Sequence, residues 1–168
     1  MAFVSMRGAD RLGWRQPSRF GRAIEIAISD DLAAILRFQR WGRQCDATSA
    51  DGMWRFRRQG FFGRSVLIES IPAGNQVGAF QSRFTGGALT LADGKVYDWK
   101  YLGFWRGNPA FFTPSGFPIV TFSSKRFSLK DRGEVSVHRE YSSLEELPLL
   151  ILFGSYLTIM NQRRRRAA

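Results

Sequence analysis

From Leu147 to Met160 the chain reads LPLLILFGSYLTIM, fourteen residues almost without polarity. No turn pair interrupts the stretch from Leu144 to Gln162, so it is expected as one helix. Such a helix is apolar on every side and must be surrounded by apolar material. A bilayer and a protein interior both qualify, but a spanning helix takes about 20 apolar residues and a run of about 10–14 fits a buried core helix better. Glu145 and Glu146 stop its extension on one side, and Asn161 with Arg163–Arg166 on the other. Ser143 and Glu146 have the spacing of a capping box, while Pro148 also suits a first helical turn. The cations at the far end complement the helix dipole.

The rest of the chain must therefore supply a wrapping. From residue 22 onward, short runs of β-branched and aromatic residues alternate with Gly, Pro, Asn and Asp, the texture of an all-β domain. Strands are expected at Ala23–Ile28, Ala34–Gln39, Arg43–Thr48, Met53–Arg57, Gly63–Ser70 and Gln76–Phe84. Others follow at Ala88–Ala92, Lys95–Tyr101, Pro109–Thr113, Pro118–Ser123, Arg126–Lys130 and Glu134–His138. Asp51-Gly52 and Asp93-Gly94 are hairpin signals. An open sheet covers one side of a helix; eleven or twelve short strands can close around it and remove their own edges. The expected fold is mainly β: a closed or nearly closed antiparallel barrel of about twelve strands around a hydrophobic C-terminal helix (about 144–162). Gly154 and Ser155 would let a large ring of the wall approach the helix closely.

The D-G turns before aromatic strands (Asp51-Gly52 with Trp54, Asp93-Gly94 with Tyr97 and Trp99) and the terminal helix ELPLLILFGSYL resemble the tubby C-terminal-like superfamily. That group includes tubby domains, LURP-one-related proteins and phospholipid scramblases. The resemblance spans about residues 22–162. It implies a twelve-stranded barrel around the final helix and a lean toward phospholipid membranes. No phosphoinositide-site motif of the family maps onto a numbered residue here.

Charge is the one unusual feature of composition: 25 Lys+Arg against 14 Asp+Glu give a net +11 over 168 residues. Residues 1–22 hold five arginines against Asp10 alone, and Arg163–Arg166 are consecutive. Residues 1–21 are expected as a basic flexible arm, with little periodicity, and 163–168 as an Arg-rich tail. Arg55, Arg57, Arg58 and Arg64, joined by Arg37, Arg40 and Arg43, form a candidate anion surface. Together with Arg163, Arg164, Arg165 and Arg166 they are the candidate contacts to anionic lipid. Near an anionic membrane each cation contributes about 1 kcal/mol, so the tail alone supplies about 4 kcal/mol and only millimolar affinity.

Reactive chemistry is sparse. His138 is the sole histidine and Cys45 the sole cysteine, and neither has partners at catalytic or ligand spacing. No phosphate-binding loop, dinucleotide fingerprint or zinc motif occurs, so no cofactor, metal site or catalytic residue is expected. The aromatic content reads mainly as barrel filling, although rings can also stack on bases. With no apolar signal segment behind Met1, the expectation is a cytoplasmic, non-enzymatic module that meets anionic phospholipid surfaces peripherally. A nucleic-acid- or ribosome-associated protein is the first alternative, and a tail-anchored membrane protein the second.

Overall fold

The computed structural model describes residues 2–40, 42–103, 107–125 and 131–168. Twelve strands follow in order: β1 (Arg11–Arg15), β2 (Ala23–Ile28), β3 (Asp31–Phe38), β4 (Gln44–Ser49), β5 (Gly52–Gln59) and β6 (Ser65–Ser70). The second half is β7 (Gln76–Arg83), β8 (Gly86–Leu91), β9 (Val96–Tyr101), β10 (Pro109–Phe112), β11 (Pro118–Ser124) and β12 (Arg132–Val137). Each pairs antiparallel with its sequence neighbours, and β1 pairs with β12, so the sheet closes. A 3₁₀ turn (Arg139–Tyr141) leads into α1 (Leu147–Ala167), which runs up the barrel axis.

Alternation along the strands builds the wall. Ile24 and Ile26 of β2, Phe56 of β5, Tyr97 and Trp99 of β9 and Val135 and Val137 of β12 are buried, while their neighbours face outward or are half-covered. The helix meets that wall on several sides. Phe153 packs against Phe56, Phe80 and Phe111, with ring centroids 5.1, 5.3 and 6.3 Å away. Tyr156 stacks with Phe38 at 6.0 Å. Gly154 faces Phe122, whose ring would lie 2.1 Å from a Cβ placed there. The expected close approach of a wall ring is therefore real, and its site is Gly154. Ser155 is buried as well.

Two expectations are corrected, and a third is not covered by the described residues. The expected flexible arm, residues 1–21, contains a strand: Leu12 and Trp14 of β1 are buried, and β1 pairs with β12 from Arg11↔Ser136 to Arg15↔Arg132. Met6 is fully buried, its amide donating to the Asp51 carboxylate at 2.7 Å, and the Gly8 amide donates to the Ser142 carbonyl at 3.0 Å. The segment before β1 thus packs against the barrel end where the helix enters. The expected strand at Arg126–Lys130 lies outside the described residues, and β1 completes the twelve. Finally, Arg163–Arg166 are not a tail but the last turns of α1.

The helix begins at Leu147 with Pro148 in its first turn, and Glu146 makes no capping bond through its side chain. Glu146 instead holds Lys95, the residue just before β9, in an ion pair. Among the described residues no helix is long and apolar enough to cross a membrane. The apolar surface of α1 is occupied by the barrel wall.

Candidate anion-binding mouth

Because every strand is joined to the next by a short connection, successive connections fall at opposite ends of the barrel. Among the described residues, one end receives 16–22, 39–40, 42–43, 60–64, 84–85, 102–103, 107–108, 125 and 131, together with the C-terminal turns of α1. Arg19, Arg22, Arg40, Arg43, Arg64 and Lys125 lie in those connections, and Arg163–Arg166 on the helix. Asp131 is their one acid among the described residues. The other end carries Asp10, Asp30, Asp51, Asp93, Glu140, Glu145 and Glu146, with Arg7, Lys95 and Arg139 as counter-charges. The molecule is electrically polarised along its barrel axis.

Asp131 is buried and already engaged. It accepts from Arg163 at 3.1 Å and from Arg166 at 2.7 Å, fastening the end of α1 to the segment entering β12. The Arg163 guanidinium also lies 4.4 Å from the centroid of Phe38, a cation–π contact from wall to helix. These two arginines hold the structure together.

The expected cluster on β5 is divided by strand alternation. Arg55 and Arg57 point outward from the barrel wall and are ion-paired. Arg55 grips both oxygens of Asp46 at 2.8 and 3.0 Å, and Arg57 reaches Glu69 at 3.3 Å. The Arg55 hydrogen bonds hold the Asp46 carboxyl below the usual carboxylate range. Arg58, two positions after the buried Phe56, turns inward at the mouth.

Arg58 lines a cavity of about 220 Å³ between α1 and β5–β9. Arg64, Arg83 and Arg164 line it too, with Ser82, Phe80, Trp99 and Tyr156, and no acidic side chain does. None of these four arginines is ion-paired among the described residues. Gly63, at φ +59°, lets the backbone fold over the Arg58 guanidinium, which sits 2.4 Å from where a Cβ would stand. Burial, and then the positive charges of Arg164 and Arg43, lower the Arg58 pKa. The Tyr156 hydroxyl is buried with no hydrogen-bond partner among the described residues, and burial keeps it protonated by raising its pKa.

On the other side of α1, a second cavity of about 380 Å³ includes Arg165, Arg166, Asn161 and Thr158 in its lining. Asn161 donates to the Tyr101 hydroxyl at 3.0 Å, and both side chains border the two cavities. Of the eleven arginines expected at an anion site, Arg58, Arg64, Arg164 and Arg165 line the cavities at this mouth with no acid partner among the described residues, Arg40 and Arg43 lie in a connection at the same end, and Arg37 is exposed on β3. Arg163 and Arg166 are at the mouth but bound to Asp131, and Arg55 and Arg57 are on the outer wall.

Sequence reasoning missed the aromatic rim. Phe20, Phe61, Phe62 and Phe84 stand 77–105% exposed, and all four belong to connections at the basic end. Arg19 lies over Phe20 at 5.9 Å and Arg64 over Phe62 at 5.7 Å. It also missed Arg83, which is 19 residues from Arg64, the nearest arginine of its own cavity in sequence, but lines that cavity together with Arg58. Strand parity was the available signal, since it assigns every connection to an end once the strands are placed.

The remaining chemical candidates are placed elsewhere. Cys45 is fully buried and burial raises its thiol pKa. His138 is exposed beyond the end of β12. Among the described residues no cluster of His, Cys, Asp and Glu has the makings of a metal site. No protein family, curated protein or solved structure matches the chain.

Proposed function

We propose that this protein is a non-enzymatic binding module that docks on anionic phospholipid surfaces through the basic end of its barrel. The observation that carries the reading is the coincidence of four exposed phenylalanines with the uncompensated arginines at one end. A soluble surface gains nothing from bare rings at loop tips, whereas at an interface the rings enter the acyl boundary and the cations stay with the headgroups. Full burial of one phenylalanine contributes about 1.5–3 kcal/mol. Two inserted rings and four surface-held cations together contribute about 8 kcal/mol, which corresponds to micromolar affinity. The helix-end arginines alone reach only about millimolar.

The barrel threaded by its C-terminal helix is also the arrangement implied by the resemblance to tubby-like and scramblase-like domains. That agreement supports membership of the superfamily, and the position of the docking surface is argued from this chain's own residues. Peripheral attachment from the cytoplasm is the corresponding location.

Co-sedimentation with phosphatidylcholine vesicles, with and without phosphatidylserine, tests the reading. Binding is expected only with phosphatidylserine, falling as salt rises and falling again in Phe61→Ser/Phe62→Ser. Equal recovery with both vesicle types, or no effect of the double substitution, contradicts it. A nucleic-acid partner would use the same cations, so RNA that shifts in a gel at low salt and is insensitive to the two phenylalanines would favour that alternative.

A further inference from the structure

We infer that the cavity beside the end of α1 is a binding site for a phosphate monoester, with Arg58 and Arg164 as its charged donors and Tyr156 as its neutral one. The inference goes beyond membrane docking and stands or falls separately, because it concerns a recess at the mouth and not the rim. Three features point to an anion. Arg58, Arg64, Arg83 and Arg164 converge on one opening with no acid among its lining, an arrangement whose mutual repulsion a bound anion would relieve. Arg58 is drawn inward by strand alternation, part-buried, and held over the cavity by a bond to the Gly63 carbonyl at 3.4 Å. The Tyr156 hydroxyl is a buried donor without an acceptor among the described residues, a condition that costs stability unless something fills it.

Size and chemistry narrow the ligand. At about 220 Å³ the cavity is smaller than the roughly 300–1,000 Å³ of sites for drug-sized molecules. It suits a compact anionic group. Guanidinium forks match phosphate oxygens in pairs, and several cations favour a dianion over a monoanion. A tyrosine hydroxyl supplies one more donor, and the hydroxyl of Ser82 borders the same space. The monoester can be carried by a soluble metabolite or by a lipid headgroup; the chemistry of the recess is the same.

Isothermal titration of the full chain at constant ionic strength tests the site, using inorganic phosphate and glycerol 3-phosphate as soluble probes. Vesicles containing phosphatidic acid, a monoester, are compared with vesicles containing phosphatidylglycerol, a diester. Saturable binding is expected, weakened about tenfold or more by Arg58→Met and unchanged by Arg55→Met on the outer wall. Tyr156→Phe should also weaken binding while leaving the protein folded, since it deletes only the unpartnered hydroxyl. Arg58-dependent binding of the soluble probes assigns a soluble source. Arg58-dependent preference for phosphatidic acid over phosphatidylglycerol, without soluble binding, assigns a lipid source. Absence of binding in all arms, or binding that neither Arg58→Met nor Tyr156→Phe alters, overturns the inference. Loss of vesicle docking with retained phosphate binding would reject the membrane reading and leave this one standing.

Discussion

Gly154 shows how much one residue decides in this chain. Any side chain there would drive into the Phe122 ring, 2.1 Å from the Cβ position. Gly154→Ala is therefore expected to destabilise the protein by about 1–3 kcal/mol, despite the better helix propensity of alanine. A chemical-denaturation midpoint equal to or above that of the parent would contradict the contact. Asp46 gives a prediction in pH. Its carboxyl titrates below the ordinary aspartate value because Arg55 donates to it. Its contribution is present above about pH 3.9 and lost as pH falls through the lower folded-state value. The stability gap between the parent and Arg55→Met should thus shrink as pH drops below about 4. A gap that stays constant down to acid pH would sink that assignment. Alternation made the inward Phe56 and outward Arg55 legible from sequence. The same alternation applied one step further would have turned Arg58 inward, but the run of three basic residues within Arg55–Arg58 reads locally as one charged face.

At the scale of elements, α1 and β1 behave oppositely as sequence signals. The helix is legible because fourteen nearly apolar residues allow few environments, and Leu152 is fully buried as that logic requires. Leu152→Arg places an unpaired charge in the barrel interior and should be severely destabilising, by more than the about 2–5 kcal/mol of Leu152→Ala. A soluble variant with an unchanged thermal midpoint would contradict enclosure. The first strand is nearly illegible: Arg11–Arg15 offers only Leu12 and Trp14 as apolar residues, and its partner β12 is more than a hundred residues away. Its stability comes from pairing with both β2 and the distant β12 and from two buried side chains, and a local pattern cannot display the long-range part. Truncation before Ala23 should expose the facing edges of β2 and β12 and produce aggregation. A truncated chain that stays monomeric with the parent's thermal midpoint would show that closure by β1 is dispensable.

For the whole molecule, the decisive property is the separation of charge along the barrel axis, with four of the five exposed phenylalanines among the described residues at the basic end. It escapes a linear reading because consecutive connections alternate between ends, so any window along the sequence averages acidic and basic caps together. Once twelve strands close, every second connection adds to the same pole. Net charge by itself then misleads: the outer-wall pairs Arg55–Asp46 and Arg57–Glu69 are internally balanced, while the α1 exit end is not.

Docking by that pole has a direct geometric test. Thr85 and Ser115 are exposed turn residues at opposite ends of the barrel, and the buried thiol of Cys45 leaves an introduced cysteine as the accessible one. An environment-sensitive fluorophore is attached at Thr85→Cys or at Ser115→Cys and titrated with vesicles containing phosphatidylserine. The account predicts a blue-shifted emission from position 85 and none from position 115; a shift at 115 alone, equal shifts at both, or no shift at either contradicts it.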